Sequence, residues 1–208
     1  GLTVAGGLFT WILITDGVRD IFFNMSFSFL SVYMQDIAGL SISQIGLMSS
    51  IFGVAMMAVM IPSGWLADRF GERLNIAISF LFMSVSIGMI ATVPPGSPVW
   101  LYGAGWVIAG IGVGLATPAY QSLISKAVPQ RLRGLAYGLL STSLGLVSLP
   151  GPIIGSLLWE KVGPQFPFIL TSAISLLSII PVWLKFKVSG DMQETPPVED
   201  QPTVPESD

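Results

Sequence analysis

Six long apolar stretches, separated by short polar connections, set the pattern of this chain. A helix needs about 20 mostly apolar residues to cross a hydrocarbon core of roughly 30 Å. Six segments reach that length, near residues 9–34, 44–64, 74–93, 99–122, 134–158 and 166–186. Strands of a membrane barrel would instead alternate apolar and polar residues over about ten positions, and these stretches do not alternate. The pattern predicts an all-α membrane protein with six transmembrane helices.

Composition points to the same environment. The chain is 52% hydrophobic and 10% charged, with a mean hydropathy of +0.75. A soluble domain of this composition would expose far more apolar surface than it could cover. We therefore predict a multi-pass protein of the cell membrane, with the lipid bilayer as its first partner.

The basic residues fall mainly on one side of the predicted spans. Lys161 lies in a connection on the opposite side, and Arg19 lies inside the first span. By the positive-inside rule, the side with most basic residues faces the cytoplasm, which places both termini there. The seven basic residues on that side are Arg69, Arg73, Lys126, Arg131, Arg133, Lys185 and Lys187.

The last twenty residues differ in character from the rest. Residues 189–208 contain four prolines, no basic residue and few bulky apolar residues. Such a segment cannot bury enough surface to offset the entropy of ordering it. We predict a transmembrane bundle over residues 1–188 and a disordered tail, or a linker to a further half, over residues 189–208. The six acids of the tail are Asp191, Glu194, Glu199, Asp200, Glu206 and Asp208.

Missing residue types narrow the chemistry. The chain has no cysteine and no histidine, which excludes thiolate and imidazole metal sites and nucleophiles that depend on a histidine base. It also lacks the G-x-x-x-x-G-K-[ST] loop that cradles nucleotide phosphates. We therefore expect neither an enzyme nor an ATP-driven pump, and we expect no metal, cofactor or nucleic acid.

Charged residues within the first span are candidates for chemistry inside the membrane. Asp16, Arg19 and Asp20 are spaced i, i+3 and i+4, so one helical face can carry all three and let them neutralise each other. Two interpretations stay open: a substrate or proton-coupling site that faces the bundle interior, or a salt-bridge cluster near the membrane boundary. Asn24 in the same span and Gln121 in the fourth span are further polar candidates for a cavity.

The connection after the second span carries four charges within six residues. Its spacing, G-x-x-x-D-R-x-G followed by a basic residue, resembles the signature loop of the major facilitator superfamily of secondary transporters. Glu72 stands where that family usually has a base. The resemblance implies a latch that holds the cytoplasmic side closed, whereas the alternative is that these charges only orient the connection. The matching positions are Gly64, Asp68, Arg69, Gly71 and Arg73.

The fifth span carries a second resemblance to that family. Gly151, Pro152 and Gly155 fit part of the fifth-helix motif of its proton-coupled exporters, with Ser156 where a second glycine is common. Prolines remove backbone hydrogen bonds and glycines let another helix approach closely, so we expect a kinked packing helix. The resemblance favours export, whereas the pattern alone is also typical of an ordinary kinked helix.

The fourth span resembles the family in its glycines and in Pro118, but it has Trp106 where many members have an arginine. That arginine is often tied to proton transfer, so its absence counts against simple proton-driven import. We interpret Trp106 as a packing or lipid-facing residue, with stacking on a substrate as the alternative.

A weak internal sequence similarity relates residues 62–71 to residues 152–163. Each segment follows the second span of a three-span unit, and the two loops fall on opposite membrane faces, as an inverted three-plus-three repeat predicts. The resemblance covers residues 9–187 and implies one amino-terminal-type half of a twelve-helix transporter. Such a half needs a partner, either a second six-helix half or an identical copy in a dimer.

These patterns together predict a secondary transporter half that moves a small solute by alternating access. We expect coupling to protons through Asp16 or Asp20, with export favoured. The competing hypothesis is a non-transporting scaffold or assembly protein built on the same half. One half does not define the substrate, because selectivity resides in cavity residues that similar frames vary freely.

Overall fold

All regular structure in the described chain is helical, as predicted. The computed structural model describes residues 2–127 and 130–185, so the predicted tail lies outside the described residues. A π-helical turn, Tyr33–Ile37, extends the first helix, and a 3₁₀ turn, Gln130–Leu132, precedes the fifth. The helices are α1 (Leu2–Val32), α2 (Ile42–Phe70), α3 (Glu72–Thr92), α4 (Val99–Ala127), α5 (Arg133–Ser148), α6 (Pro150–Lys161), α7 (Phe166–Leu177) and α8 (Ile179–Lys185).

Four stretches within the described ranges are long and apolar enough to cross a membrane. They correspond to the predicted second, third, fourth and sixth spans, and each starts or ends within a few residues of the predicted boundary. These stretches are Ile42–Ala67, Glu72–Thr92, Val99–Lys126 and Phe166–Leu184.

The predicted fifth span, 134–158, is divided into α5 and α6 at Leu149. Pro150 has no backbone N–H to donate to the carbonyl of Leu146. The N–H of Leu149 bonds that carbonyl instead, at 3.3 Å, which tightens the turn and interrupts the α-helix.

Proline also explains the interruption of the predicted sixth span, 166–186. Pro181 cannot donate to the carbonyl of Leu177, and α7 ends at that residue before α8 begins at Ile179. The N–H of Ser178 keeps its bond to the carbonyl of Ile174 at 2.9 Å, so the interruption is local.

The limits of α2 have clear local causes. The Ser41 hydroxyl accepts from the N–H of Gln44 at 3.3 Å, and the Gln44 side chain accepts from the N–H of Ser41 at 2.8 Å, which forms a capping box. At the other end, Gly71 has a φ of +89°, a conformation that favours glycine. This single residue turns the chain from α2 into α3.

Helix α3 lies at the centre of the bundle. Half of the residues in an apolar 18-residue stretch of α3 are buried, against 11% in the corresponding stretch of α2. Helix α4 packs against α2 and α3, α1 packs against α5, α6 and α7, and α3 also contacts α7 and α8. One buried cluster includes Tyr33, Met34, Ile87, Ile90, Trp106 and Phe168, and a second includes Ile76, Phe80, Ala119, Leu123, Ile124 and Val182.

Glycines set the distance between α2 and α4. A Cβ atom on Gly110 would lie 2.5 Å from the carbonyl oxygen of Phe52. One on Gly114 would lie 2.6 Å from the carbonyl oxygen of Met56. The two backbones therefore approach at a distance that side chains on α4 would prevent.

Candidate functional site

The charged residues of α1 meet aromatic residues of α3 and α4. Arg19 binds Oδ1 of Asp20 through Nη2 at 2.7 Å and Nε at 3.1 Å. Its guanidinium lies 5.1 Å from the ring centre of Phe80 and 5.6 Å from that of Tyr120. The two charged side chains are 23% and 21% exposed, so cation–π contacts and an ion pair hold them while part of each stays accessible. The side chain of Asp16 lies outside the described residues.

A cavity of about 270 Å³ opens beside this ion pair. The hydroxyl of Ser79 donates to the carbonyl of Ile76 at 2.7 Å, and that of Thr117 donates to the carbonyl of Val113 at 2.9 Å. Because both hydroxyls donate to their own helices, their oxygen lone pairs are left as acceptors. The wall therefore offers charge, hydroxyl oxygen and aromatic faces, from Arg19, Asp20, Ser79, Phe80, Thr117 and Tyr120 among others.

A smaller apolar space of about 50 Å³ adjoins this cavity. Phe23 and Met83 line both spaces. Phe52, Trp106 and Phe168 line the smaller space further on. A few charged and hydroxyl groups therefore lie beside a largely apolar space, as is common in ligand-binding cavities.

The cavity lies level with the middle of the spanning helices. Ser79 and Met83 line it from the central turns of α3, and the segment 112–117 lines it from the central turns of α4. At 1.5 Å per residue, Ser79 is about 10 Å from the nearer end of α3. Arg19 contacts Phe80 and Tyr120, so it stands about 10 Å inside the nearer ends of α3 and α4, two helices that are long enough to cross the membrane.

The other two polar candidates are not part of the cavity wall. Asn24 donates from Nδ2 to the backbone carbonyl of Asp20 at 3.0 Å, within its own helix. Gln121 is exposed, and its carbonyl accepts from the hydroxyl of Tyr137 at 2.9 Å. Successive residues of a helix point about 100° apart, so the rotation that turns Tyr120 into the cavity turns Gln121 away from it.

The signature segment is mostly helical rather than a loop. Gly64 to Phe70 form the last turns of α2, and Gly71 makes the turn. A Cβ atom on Gly64 would meet nothing within 4 Å. Arg69 is exposed and stacks over the rings of Trp65 and Phe70, at 5.2 and 5.6 Å. The side chain of Asp68 lies outside the described residues.

Glu72, the position that departs from the family pattern, connects α3 to α4. Its side chain is 8% exposed, and Oε1 lies 2.5 Å from Nζ of Lys126. The Ser122 hydroxyl donates to the same oxygen at 2.8 Å. Both partners belong to α4, so this ion pair lies within one bundle.

We expect Glu72→Gln and Lys126→Gln each to destabilise the bundle, with a coupling free energy between them of about 1–2 kcal/mol. Either change leaves the partner charge partly desolvated. Reversible unfolding of the single and double variants in mixed detergent micelles measures the coupling, and Lys161→Gln is the control for loss of a lysine charge elsewhere. Strictly additive effects of the two changes would contradict a direct interaction.

Arg73 connects α3 to α8. Its Nη1 donates to the backbone carbonyl of Trp183 at 2.9 Å, and its guanidinium lies 4.2 Å from the centre of the Trp183 ring. A cation beside the last carbonyls of a helix is stabilising. Two charges of the signature segment, Glu72 and Arg73, are therefore used within the bundle, whereas Arg69 lies on its surface.

The helix-kink residues position α1. A Cβ atom on Gly151 would lie 2.6 Å from the carbonyl oxygen of Ile21, and one on Gly155 would lie 2.8 Å from Cγ of Met25. Pro152 lies between these glycines in the first turn of α6. Because Ile21 follows Asp20 in sequence, the glycine contacts of α6 hold the part of α1 that carries the ion pair.

Several important contacts were not found by sequence reasoning. Asn75 is fully buried, and its Nδ2 donates to the Ser63 carbonyl at 2.8 Å; the Ser63 hydroxyl donates to the Leu115 carbonyl at 3.0 Å. A lone asparagine in an apolar span was the available signal for this link between α2, α3 and α4. Trp106 is 8% exposed, and its Nε1 lies 3.3 Å from Sδ of Met34, so it packs inside the bundle and does not face lipid.

Comparisons with known proteins agree with this architecture. The family described as Major Facilitator Superfamily matches residues 12–207. The quinolone resistance protein NorA of Staphylococcus aureus is 31% identical over 151 residues, which are 73% of this chain and 38% of NorA. Probable anion transporter 6 of Oryza sativa subsp. japonica is 26% identical over 185 residues, 89% of this chain and 41% of that protein.

A solved structure has a similar fold. The crystal structure of a peptide transporter, POT, in complex with sulfate superposes with a TM-score of 0.68 and 20% identity. The likeness covers 85% of this chain and 37% of that one. This chain spans about two fifths of the length of the proteins it matches.

Proposed function

The chain belongs to the Major Facilitator Superfamily, and on that premise we propose that it forms one six-helix half of a secondary transporter that moves a small solute by alternating access. The observation that carries this proposal is the cavity beside Arg19 and Asp20, level with the centres of α3 and α4. Charges at such depth are costly, and in membrane proteins they usually face a bundle interior or a water-filled cavity that uses them.

Six spans follow if each interrupted pair of helices crosses the membrane as one bent unit, α5 with α6 and α7 with α8. The contacts support an inverted three-plus-three repeat. In such a repeat, the first, second and third spans correspond to the fourth, fifth and sixth. The contact of α2 with α4 then corresponds to the contact of α1 with α5 and α6, and the contact of α3 with α4 corresponds to the contact of α1 with α7. All of these contacts are present.

A second six-helix half would cover the exposed faces of α2 and α5. Gly46 and Gly53 on α2, and Gly138 and Gly145 on α5, have open space where a Cβ would lie, so another helix could approach closely there. The occupant is a second half, supplied by a longer chain or by an identical copy. The exposed apolar side chains of this face include Leu47, Val54, Met57, Ile61 and Trp65 on α2 and Leu135 and Leu146 on α5.

Proton coupling is assigned to Asp20, with Asp16 as the second carboxylate on the same helix. A carboxylate beside an arginine can exchange its partner for a proton as the cavity alternates between the two sides. Export is favoured by the Gly151-Pro152-x-x-Gly155 motif and by the likeness to a protein named for quinolone resistance. The buried Trp106, in place of the family's arginine, supports a coupling site elsewhere in the bundle.

We propose that both termini lie on the cytoplasmic side of the membrane. The ends of α2, α4 and α8 and the start of α3 lie together, because Glu72 pairs with Lys126 and Arg73 binds Trp183. This end carries most of the basic residues, which the positive-inside rule assigns to the cytoplasm.

We expect Asp68→Asn to reduce transport at least about tenfold while the protein still inserts and folds, because the charge of the latch would be lost. The measurement is substrate flux into or out of proteoliposomes that contain the complete native gene product. Glu160→Gln, an exposed acid at the opposite end of the bundle, is the matched control.

Normal flux in the Asp68→Asn protein would refute the latch. Absence of flux from the unmodified protein with every solute class tested, together with a stable complex with another membrane protein, would favour the competing function of a non-transporting scaffold. The two outcomes separate a wrong role for Asp68 from a wrong function for the protein.

A further inference from the structure

One end of the bundle presents a group of basic side chains from four α-helices and the 3₁₀ turn before α5. The ion pair of Glu72 with Lys126 and the bond of Arg73 to Trp183 join α3 to α4 and to α8. Nη2 of Arg133 donates to the Ser125 carbonyl at 2.7 Å, which brings the start of α5 to the same place. We call this surface the basic end; its described members are Arg69, Arg73, Lys126, Arg131 and Arg133.

The basic end has accessible positive charge. Arg69 and Arg131 are exposed, and the side chain of Lys126 is 34% exposed although it pairs with Glu72. The sequence adds Lys185, the last residue of α8, and Lys187 just after it, against the two acids Asp68 and Glu72. Seven bases and two acids leave a formal charge of about +5 at neutral pH.

The last described helix, α8, ends at this same end of the bundle, and the sequence after it is acidic. Trp183, which accepts from Arg73, lies two residues before the end of α8. Residues 189–208 then contain six acids and no base. A segment of charge −6 is thus tethered beside a surface of nearly equal and opposite charge.

We propose that residues 189–208 bind the basic end of their own bundle through charge. Asp191 is six residues beyond Lys185, which allows a reach of up to about 20 Å, and a flexible chain of the full 23 residues has a root-mean-square span of about 25–30 Å. Neighbouring helices lie about 8–10 Å apart, so the acids can reach Arg69 and Arg131. The tether raises the local concentration of the acids to roughly millimolar, an advantage that free anionic partners lack.

The proposal is independent of transport and can be tested on the complete native gene product in nanodiscs of neutral phosphatidylcholine. The 208 residues of this sequence contain no cysteine, so none has to be removed from this part of the chain before pairs of spin labels are placed in it. One label at Gln201→Cys reports on the tail and the other, at Gln130→Cys, on the basic end. Gln165→Cys, another exposed glutamine, lies beyond the far end of α6 and is the matched control.

We expect a short distance between positions 130 and 201 at low salt, lengthening by roughly 10 Å when the tail is released to free-chain dimensions. Release should follow 1 M salt, which shortens the screening length to about 3 Å, and replacement of the six acids by their amides. Arg69→Gln combined with Arg131→Gln should act in the same direction, whereas Lys161→Gln should have no effect.

An unchanged 130–201 distance after the six acids are neutralised would overturn the proposal. A released tail in neutral lipid at low salt would also overturn it, and would assign the basic end to anionic headgroups if phosphatidylglycerol then protects Arg69 and Arg131 from chemical modification. Because the altered residues lie in the tail or on exposed surface, an unchanged thermal transition will show that the bundle is intact.

Discussion

Gly110→Ala is expected to destabilise the bundle by about 1–3 kcal/mol, although alanine is the better helix former. The added methyl would lie 2.5 Å from the Phe52 carbonyl oxygen and 2.9 Å from Cβ of Ala55. Neither neighbour can rotate away, because both are backbone or directly attached to it. Helices α2 and α4 must therefore separate, and the contact around Gly114 loosens with them.

Gly103→Ala provides the matched control in the same helix. A Cβ at Gly103 would meet nothing within 4 Å, so this change should stabilise the helix by up to about 1 kcal/mol through propensity alone. Reversible unfolding of both variants in mixed detergent micelles gives the two free energies. Opposite signs are expected, and equal shifts would show that α2 and α4 are not closely packed at Gly110.

Asp20→Asn is expected to lower proton-driven transport by about 100-fold or more, which is the scale on which essential proton carriers contribute. The amide cannot carry a proton at working pH, and it removes the Asp20 carboxylate from Arg19 in the cavity. The loss of this ion pair should also appear as reduced stability.

The measurement is flux driven by a pH gradient in proteoliposomes that contain the complete native gene product. Asp36→Asn, which removes an exposed acid from the π-helical turn, is the control. Exchange of labelled for unlabelled solute without a gradient separates binding from coupling. Coupled flux at the normal rate in the Asp20→Asn protein would remove Asp20 from the mechanism.

The length and apolarity of the spans made the helical class predictable. The lengths of the apolar runs predicted the bounds of α2, α3 and α4 to within a few residues. Helix α2 nevertheless continues past residue 64 to Phe70, because the turn is made by Gly71 and not by the charged residues before it. The breaks at Leu149 and Ser178 follow from Pro150 and Pro181 by a local rule. Counting apolar residues alone does not detect these two breaks.

The contacts of the site were less predictable than its charges. The spacing of Asp16, Arg19 and Asp20 predicted that these charges could neutralise each other, but Phe80 and Tyr120 come from other helices, and their approach depends on how each helix is rotated about its axis. Tyr120 and Gln121 are neighbours in sequence and point about 100° apart, and the sequence does not define which of the two faces the cavity. The departure at Glu72 was visible, yet its partner Lys126 lies 54 positions away.

The acid at position 72 changes which charged contacts form at the basic end of the bundle. The resemblance to the superfamily predicts a base at this position, whereas this chain has an anion bound to Lys126 and Ser122 of the same bundle. An ion pair within one bundle moves with that bundle as a unit. Under the alternating access that we propose, this pair would stay intact on opening, and the opening rate should respond less steeply to ionic strength than in a protein with a base at this position.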